Sequence, residues 1–133
     1  DGTAALMSVF FGLAANGHWQ DERGVNMLDG GAHFYGCYEC ADTEWIAIGA
    51  IEPQFYALLL EQTGVDDPEF KQQMDKGKWI SLRDKLAAVI KTKTSLLLNT
   101  IFSTTLPESA SNDSLMSLPK STASLIMGIP HLY

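Results

Sequence analysis

Apolar residues crowd nearly every position from 3 to 16, then thin out through a glycine-punctuated stretch and gather again in two short runs. The first block, apolar on nearly all faces, predicts a helix that is buried or faces an interface, with Gly12 weakening it slightly and Asn16-Gly17 as its stop. Residues 17–33, with Gly24, Gly30 and Gly31, read as a loop without regular structure. The runs 35–41 and 45–48 are rich in aromatic, Cys and β-branched residues and predict an antiparallel hairpin across Asp42-Thr43-Glu44. That turn lacks an Asn-Gly or Asp-Gly pair, so its type stays open.

From there helical spacing takes over. Pro53 fits a first helical turn with Glu52 at or beside the N-cap, Phe55, Leu58 and Leu59 follow at helical intervals, and Gly64 ends the segment. Asp67-Pro68 opens a short second helix through Phe70 and Met74. Trp79, Leu82, Leu86, Val89 and Ile90 define a third, amphipathic helix, with Lys91 and Lys93 near its C-terminal dipole, and 95–102 adds a further helical segment. Beyond 102 the period is lost, and Ser and Thr crowd between Pro107, Pro119 and Pro130. The expectation there is loop or disorder, although residues 125–127 are apolar enough to pack. No internal repeat is present. The pattern predicts an α+β chain: an apolar linker helix at 1–16, a small domain at 17–102 in which an antiparallel β-hairpin packs with helices, and a Ser/Thr-rich tail at 103–133.

Composition narrows the partners. At 133 residues and 46% hydrophobic content the chain can bury one core of ordinary size. Nine Lys and Arg stand against sixteen Asp and Glu, a formal charge of −7, which disfavours nucleic acid and anionic membrane surfaces as partners. No apolar run approaches bilayer length, the first being interrupted by Ser8 and Gly12, and no basic segment precedes it as in a signal peptide. The chain opens at Asp1 rather than Met, and a piece of a longer protein is expected. Two cysteines favour a reducing, intracellular compartment, and the ending Ile129-Pro130-His131-Leu132-Tyr133 is not a peroxisomal address. The choice among cytoplasm, mitochondrion and peroxisome stays open.

Candidate chemistry is sparse. Cys37 and Cys40 form a C-x-x-C, but residues three apart on a strand point to opposite faces, so independent structural thiols and no metal site are expected. His18, His33 and His131 have no nucleophile arranged about them; His33, at the mouth of the hairpin, has the best claim to a role. Met27-Leu28-Asp29-Gly30-Gly31 lacks the spacing of a phosphate cradle, and as a turn or a lining for an acyl chain it is at least as plausible. Glu52 lies where a strand hands over to a helix, in an apolar stretch. Negative charge is favourable at a helix start, so its ordinary role is a cap; the same place suits it to accept a hydrogen bond from an imidazole.

Three blocks add what composition does not. Arg23-Gly24-Val25-Asn26-Met27-Leu28-Asp29-Gly30-Gly31-Ala32, Tyr38-Glu39-Cys40-Ala41-Asp42, and Gly49-Ala50-Ile51-Glu52-Pro53-Gln54-Phe55-Tyr56 closely resemble, at matching spacing, the alpha-methylacyl-CoA racemases of the family III CoA-transferase superfamily. The resemblance implies the small domain of that fold, in intertwined dimers whose active sites form between the large domain of one subunit and the small domain of the other. It implies that Glu52 is the catalytic carboxylate of the small domain, pairing with a histidine to make one base while an aspartate across the substrate makes the other. It further implies an acyl-CoA thioester as substrate, contacted by Leu28, Asp29, Gly30 and Tyr35, with no cofactor, and a homodimer or a second racemase subunit as partner. The histidine and the aspartate would belong to segments upstream of Asp1, leaving the isolated chain inactive.

The chain departs from the family at His33, where Pro is usual, at Thr43, where a turn glycine is usual, and after about Phe102. Two other readings stand beside the racemase. One is a CoA-transferase of the same superfamily, which usually has a richer glycine loop and no glutamate at the Glu52 position. The other is a truncated, non-catalytic product that dimerises or binds a racemase subunit.

Overall fold

The computed structural model describes residues 2–105, with side chains described to residue 102. Helix α1 spans Gly2–Ala15, and a 3-10 turn at Met27–Asp29 leads into strands β1 (Tyr35–Glu39) and β2 (Trp45–Gly49). Helix α2 (Pro53–Thr63) follows, then 3-10 turns at Pro68–Lys71 and Lys76–Lys78, helix α3 (Trp79–Ile90) and helix α4 (Ser95–Thr105). The architecture is α+β, as the sequence predicts. The expected tail beyond α4, including residues 125–127, lies outside the described residues.

β1 and β2 pair antiparallel from Tyr35↔Gly49 to Glu39↔Trp45. Side chains alternate across the strands, so Tyr38, Ile46 and Ile48 enter the core while Cys37 and Trp45 face out. Behind the hairpin, α3 buries Trp79, Leu82, Leu86 and Ile90, one stripe at helical spacing. Leu59, Phe70, Leu98 and Phe102 complete the same core from α2, the Pro68–Lys71 turn and α4. Burying an aliphatic or aromatic side chain of this size contributes about 1.5–3 kcal/mol, so this cluster holds the hairpin, which alone would be marginal.

The ends of the elements follow from particular residues. Pro53 occupies the first turn of α2, and Gly64 (φ 75°) closes it, its N–H bonded to the carbonyls of Leu60 and Glu61. The Asp67 carboxylate accepts from the N–H of Glu69 at 2.9 Å and starts the next turn. Asp42, in the hairpin turn, accepts from both the N–H and the hydroxyl of Ser95 and so fastens that turn to the start of α4. The Ser95 hydroxyl bond, foremost, holds the Asp42 carboxyl below its usual range.

Three expectations change. The stretch 17–33 is not wholly irregular, because Asp29 accepts from the N–H of Asn26 at 2.8 Å and winds Met27–Asp29 into a 3-10 turn. The helix expected from Asp67 to Met74 is only the turn Pro68–Lys71, since Gln72 leaves helical geometry. Helix α1 has no buried residue among the described ones: Leu6 is 78% and Phe11 64% exposed, and Phe10 alone makes an aromatic contact, edge-on to Trp19 at 5.1 Å. Of the two settings expected for α1, burial is therefore absent among the described residues. No described helix is long and apolar enough to cross a membrane.

The hairpin turn carries measurable strain. Thr43 has φ 65°, a left-handed conformation that is unfavourable for a β-branched residue, while its N–H bonds to the Cys40 carbonyl at 3.2 Å. Thr43→Asn is predicted to raise unfolding stability by roughly 0.5–1 kcal/mol, and Thr43→Gly by less, because glycine's greater freedom in the unfolded chain offsets part of the relief. Urea unfolding midpoints read this directly; an unchanged or lowered midpoint for Thr43→Asn would mean the turn is not strained in solution.

Candidate functional site

The open end of the hairpin gathers the residues of interest. Tyr35 begins β1 opposite Gly49, the last residue of β2, so the 3-10 turn that precedes β1 and the helix that follows β2 both meet that end. The N–H of Ala50 bonds to the Phe34 carbonyl at 2.9 Å and extends the pairing one step towards Glu52.

Glu52 is the N-cap of α2, with extended backbone (φ −72°, ψ 142°), but its side chain makes no capping hydrogen bond. It is half-buried, and its carboxylate has no hydrogen bond or ion pair among the described residues. The ordinary role considered from sequence, a side-chain cap, is therefore not performed. What remains is an unpartnered negative charge beside the positive end of an eleven-residue helix.

Asp29 behaves in the opposite way. Its carboxylate accepts from the N–H groups of Gly24, Asn26 and Gly31 and from the Asn26 side-chain amide. Burial pushes its carboxyl up, but those bonds, the Asn26 amide first, outweigh it and hold the group below its usual range. Buried Asn26 completes the knot: its two amide hydrogens go to Asp29 and to the Gln20 carbonyl, and its Oδ1 accepts from the N–H of Gln20 at 2.7 Å. A Cβ at Gly31 would lie 2.6 Å from the Asn26 carbonyl oxygen, so no other residue fits there. From α3, the Arg83 guanidinium donates to the Gly30 carbonyl. Asp29 and Gly30 thus build a rigid loop, which carries half-buried Leu28 on the 3-10 turn leading to half-buried Tyr35.

His33 is fully buried. The Tyr56 hydroxyl donates to the Phe70 carbonyl at 2.9 Å, so its oxygen must accept at 2.7 Å from His33 Nε2–H, which fixes the neutral tautomer. Nδ1 has no partner, and the rings of Phe34, Tyr56 and Phe70 stand edge-on around the imidazole. Burial lowers the His33 pKa to about 4. This histidine is a core residue enclosed in aromatic rings. His18 is exposed, and His131 lies outside the described residues.

The cysteines are both free, with Cys37 exposed on β1 and Cys40, one residue past the end of the strand expected to hold both, buried. Among the described residues no three His, Cys, Asp or Glu side chains cluster as metal ligands. Two open depressions lie away from Glu52, one of about 450 Å³ between β1 and α3 beside Cys37, Trp45 and Lys91, the other of about 480 Å³ beside Asp67 and Lys85. Sequence reasoning missed Asn26, whose three-residue spacing to Asp29 is the signal of a capping box, and also Tyr56 and Arg83, whose bonds reach 23 and 53 residues along the chain. Spacing carries no signal for those last two.

Compared with known families, residues 1–107 match CoA-transferase family III. Over 94 residues, 71% of this chain, the sequence is 47% identical to a protein of Mus musculus named alpha-methylacyl-CoA racemase. It is 45% identical over the same length to the Homo sapiens protein of that name. The chain spans about a quarter of the length of these curated relatives.

The state of His33 makes stability depend on pH. Its pKa of about 4 in the folded chain lies below the ordinary 6.5, so the unfolded chain binds the extra proton between those values. Stability is full above pH 6.5 and falls as pH drops towards 4, by roughly 3 kcal/mol from this group alone. Denaturant midpoints measured between pH 7 and 5 are predicted to fall in the native chain and to flatten in His33→Leu. The same slope in both proteins would mean that the imidazole is not held neutral by burial.

Proposed function

The chain belongs to CoA-transferase family III, and on that premise we propose that it is the small-domain part of an alpha-methylacyl-CoA racemase, working on 2-methylacyl-CoA thioesters. The observation that carries the reading is the unpartnered carboxylate of Glu52, held at the start of α2 within the segment 47% identical to a named racemase. The reaction is a 1,1-proton transfer. One base removes the α-proton, the electron pair delocalises onto the thioester oxygen as an enolate, and a second base delivers a proton to the opposite face.

In this scheme Glu52 accepts a hydrogen bond from an imidazole supplied by the rest of the protein and stabilises its protonated form when it takes the proton. An aspartate on the far side of the α-carbon is the complementary base. The 3-10 turn with Leu28, the backbone at Gly30, and Tyr35 border the acyl-CoA; Asp29 contributes by keeping that loop in shape. Proton transfer of this kind needs no metal, flavin or nicotinamide. The active unit is a dimer in which small and large domains of different subunits meet. A CoA-transferase of the same superfamily is the weaker reading, because both compared relatives carry the racemase name.

In this reading the histidine and the aspartate are supplied by large-domain segments upstream of Asp1. The isolated chain is therefore predicted to leave the α-hydrogen of a 2-methylacyl-CoA unexchanged in deuterium oxide, whereas the intact parent exchanges it. In the parent, Glu52→Gln keeps a hydrogen-bond acceptor but removes the charge, and should lower turnover by roughly 10²-fold with KM little changed. Robust exchange by the isolated chain, or full activity of the parent with Glu52→Gln, would contradict this assignment.

A further inference from the structure

Between the end of β2 and the first turn of α2 the backbone passes through Ala50 and Ile51. The carbonyls of these two residues belong to neither the β ladder nor the helix, so local structure gives them no partner. They lie immediately before Glu52, and Ala50 is fully buried, so leaving its carbonyl unbonded would be costly. Gln73 meets both. Its side-chain nitrogen lies 3.0 Å from the Ala50 oxygen and 3.0 Å from the Ile51 oxygen. Two carbonyl oxygens can only accept, and the amide nitrogen carries two hydrogens, so one goes to each.

Gln73 is itself held. Its backbone carbonyl accepts from the Trp79 indole N–H at 2.9 Å, and the Trp79 ring, at the start of α3, stands edge-on to Phe34 at 5.9 Å. Phe34 in turn gives its carbonyl to the N–H of Ala50. The backbone before Glu52 is thus gripped from Phe34, just ahead of β1, on one side and from Gln73 and Trp79 on the other. These bonds leave Glu52 as the first unanchored side chain beyond the grip.

We propose that Gln73 is a positioning residue for Glu52: by clamping the Ala50 and Ile51 carbonyls it fixes where α2 begins and so where the Glu52 carboxylate meets its imidazole partner. The inference rests on the racemase reading of Glu52 and deepens it. Removing the clamp lets the first turn of α2 shift, and displacements of about 1 Å in a catalytic arrangement are large enough to cost rate rather than binding.

The test is a double-mutant cycle in the intact parent enzyme, following α-hydrogen exchange of a 2-methylacyl-CoA at saturating and sub-saturating substrate. Gln73→Met keeps length and bulk but removes both donors, and is expected to lower kcat about 10-fold while KM stays within about twofold. In the Glu52→Gln background the same change should have less than about a twofold effect, because the carboxylate it positions is already gone. Should Gln73→Met not fold, Gln73→Asn retains the amide but draws it back by one methylene and is read in the same way. Unchanged kcat in Gln73→Met alongside an impaired Glu52→Gln would overturn this inference alone, as would equal losses in both backgrounds. Full activity of Glu52→Gln by itself would overturn the racemase reading and this inference with it.

Discussion

Three elements and the segment leading into β1 are tied together by one buried relay of hydrogen bonds. The Tyr38 hydroxyl, on β1, donates at 2.5 Å to the His33 carbonyl in the approach to that strand. The His33 ring donates to the Tyr56 hydroxyl on α2, and Tyr56 donates to the Phe70 carbonyl in the turn beyond it. Each donor has one acceptor, and the last two steps join α2 to the segment before β1 and to the turn beyond the helix. Because the relay lies among Phe34, Tyr56 and Phe70, away from water, breaking any step would strand a buried polar group at a cost of about 1–3 kcal/mol. The relay ties α2, the helix that begins at Glu52, to the segment that enters β1 and to the turn that follows α2.

The carboxylates sort by what they bind. Asp29 closes the loop before β1, Asp42 fastens the hairpin turn to α4, and Asp67 accepts both a backbone N–H and the Lys85 ammonium. Each is held below the usual carboxylate range by its partners. Those bonds keep the three acids within the fold. Glu52, by contrast, lies at the head of a helix with its charge unanswered. Asp21, Glu22, Glu44, Glu61, Asp66 and Asp84 also lack a partner among the described residues, but all six are exposed, whereas Glu52 is half-buried, and an unpartnered carboxylate out of full solvent contact is the kind that marks a site.

Much of this was legible in the sequence. The bounds of α3 follow from the spacing of Trp79, Leu82, Leu86 and Ile90, and those of α2 from Pro53 and Gly64, because burial stripes and caps are local properties. Cys37 is exposed and Cys40 buried, the opposite facing expected of them, although Cys40 lies one residue past the strand. The 3-10 turn at Met27–Asp29 was legible only in the capping-box spacing of Asn26 and Asp29, set within a glycine-rich stretch. The burial of His33 was not legible, because its neutral state needs Tyr56 and Phe70 from distant segments. Local signals place elements; side-chain to backbone bonds between distant segments place the site. The apolar surface of α1 was readable as a helix needing cover, but none of its described residues is buried.

The central claim is that this fold holds the Glu52 carboxylate free so that it can meet an imidazole beside the α-carbon of an acyl-CoA. The most direct measurement is a crystal structure of the intact parent with a bound 2-methylacyl-CoA. The account predicts a Glu52 carboxylate oxygen roughly 2.6–3.2 Å from one ring nitrogen of a histidine, with the other nitrogen directed at the α-carbon. A Glu52 side chain bonded only to solvent, with no imidazole between it and the thioester, would contradict it.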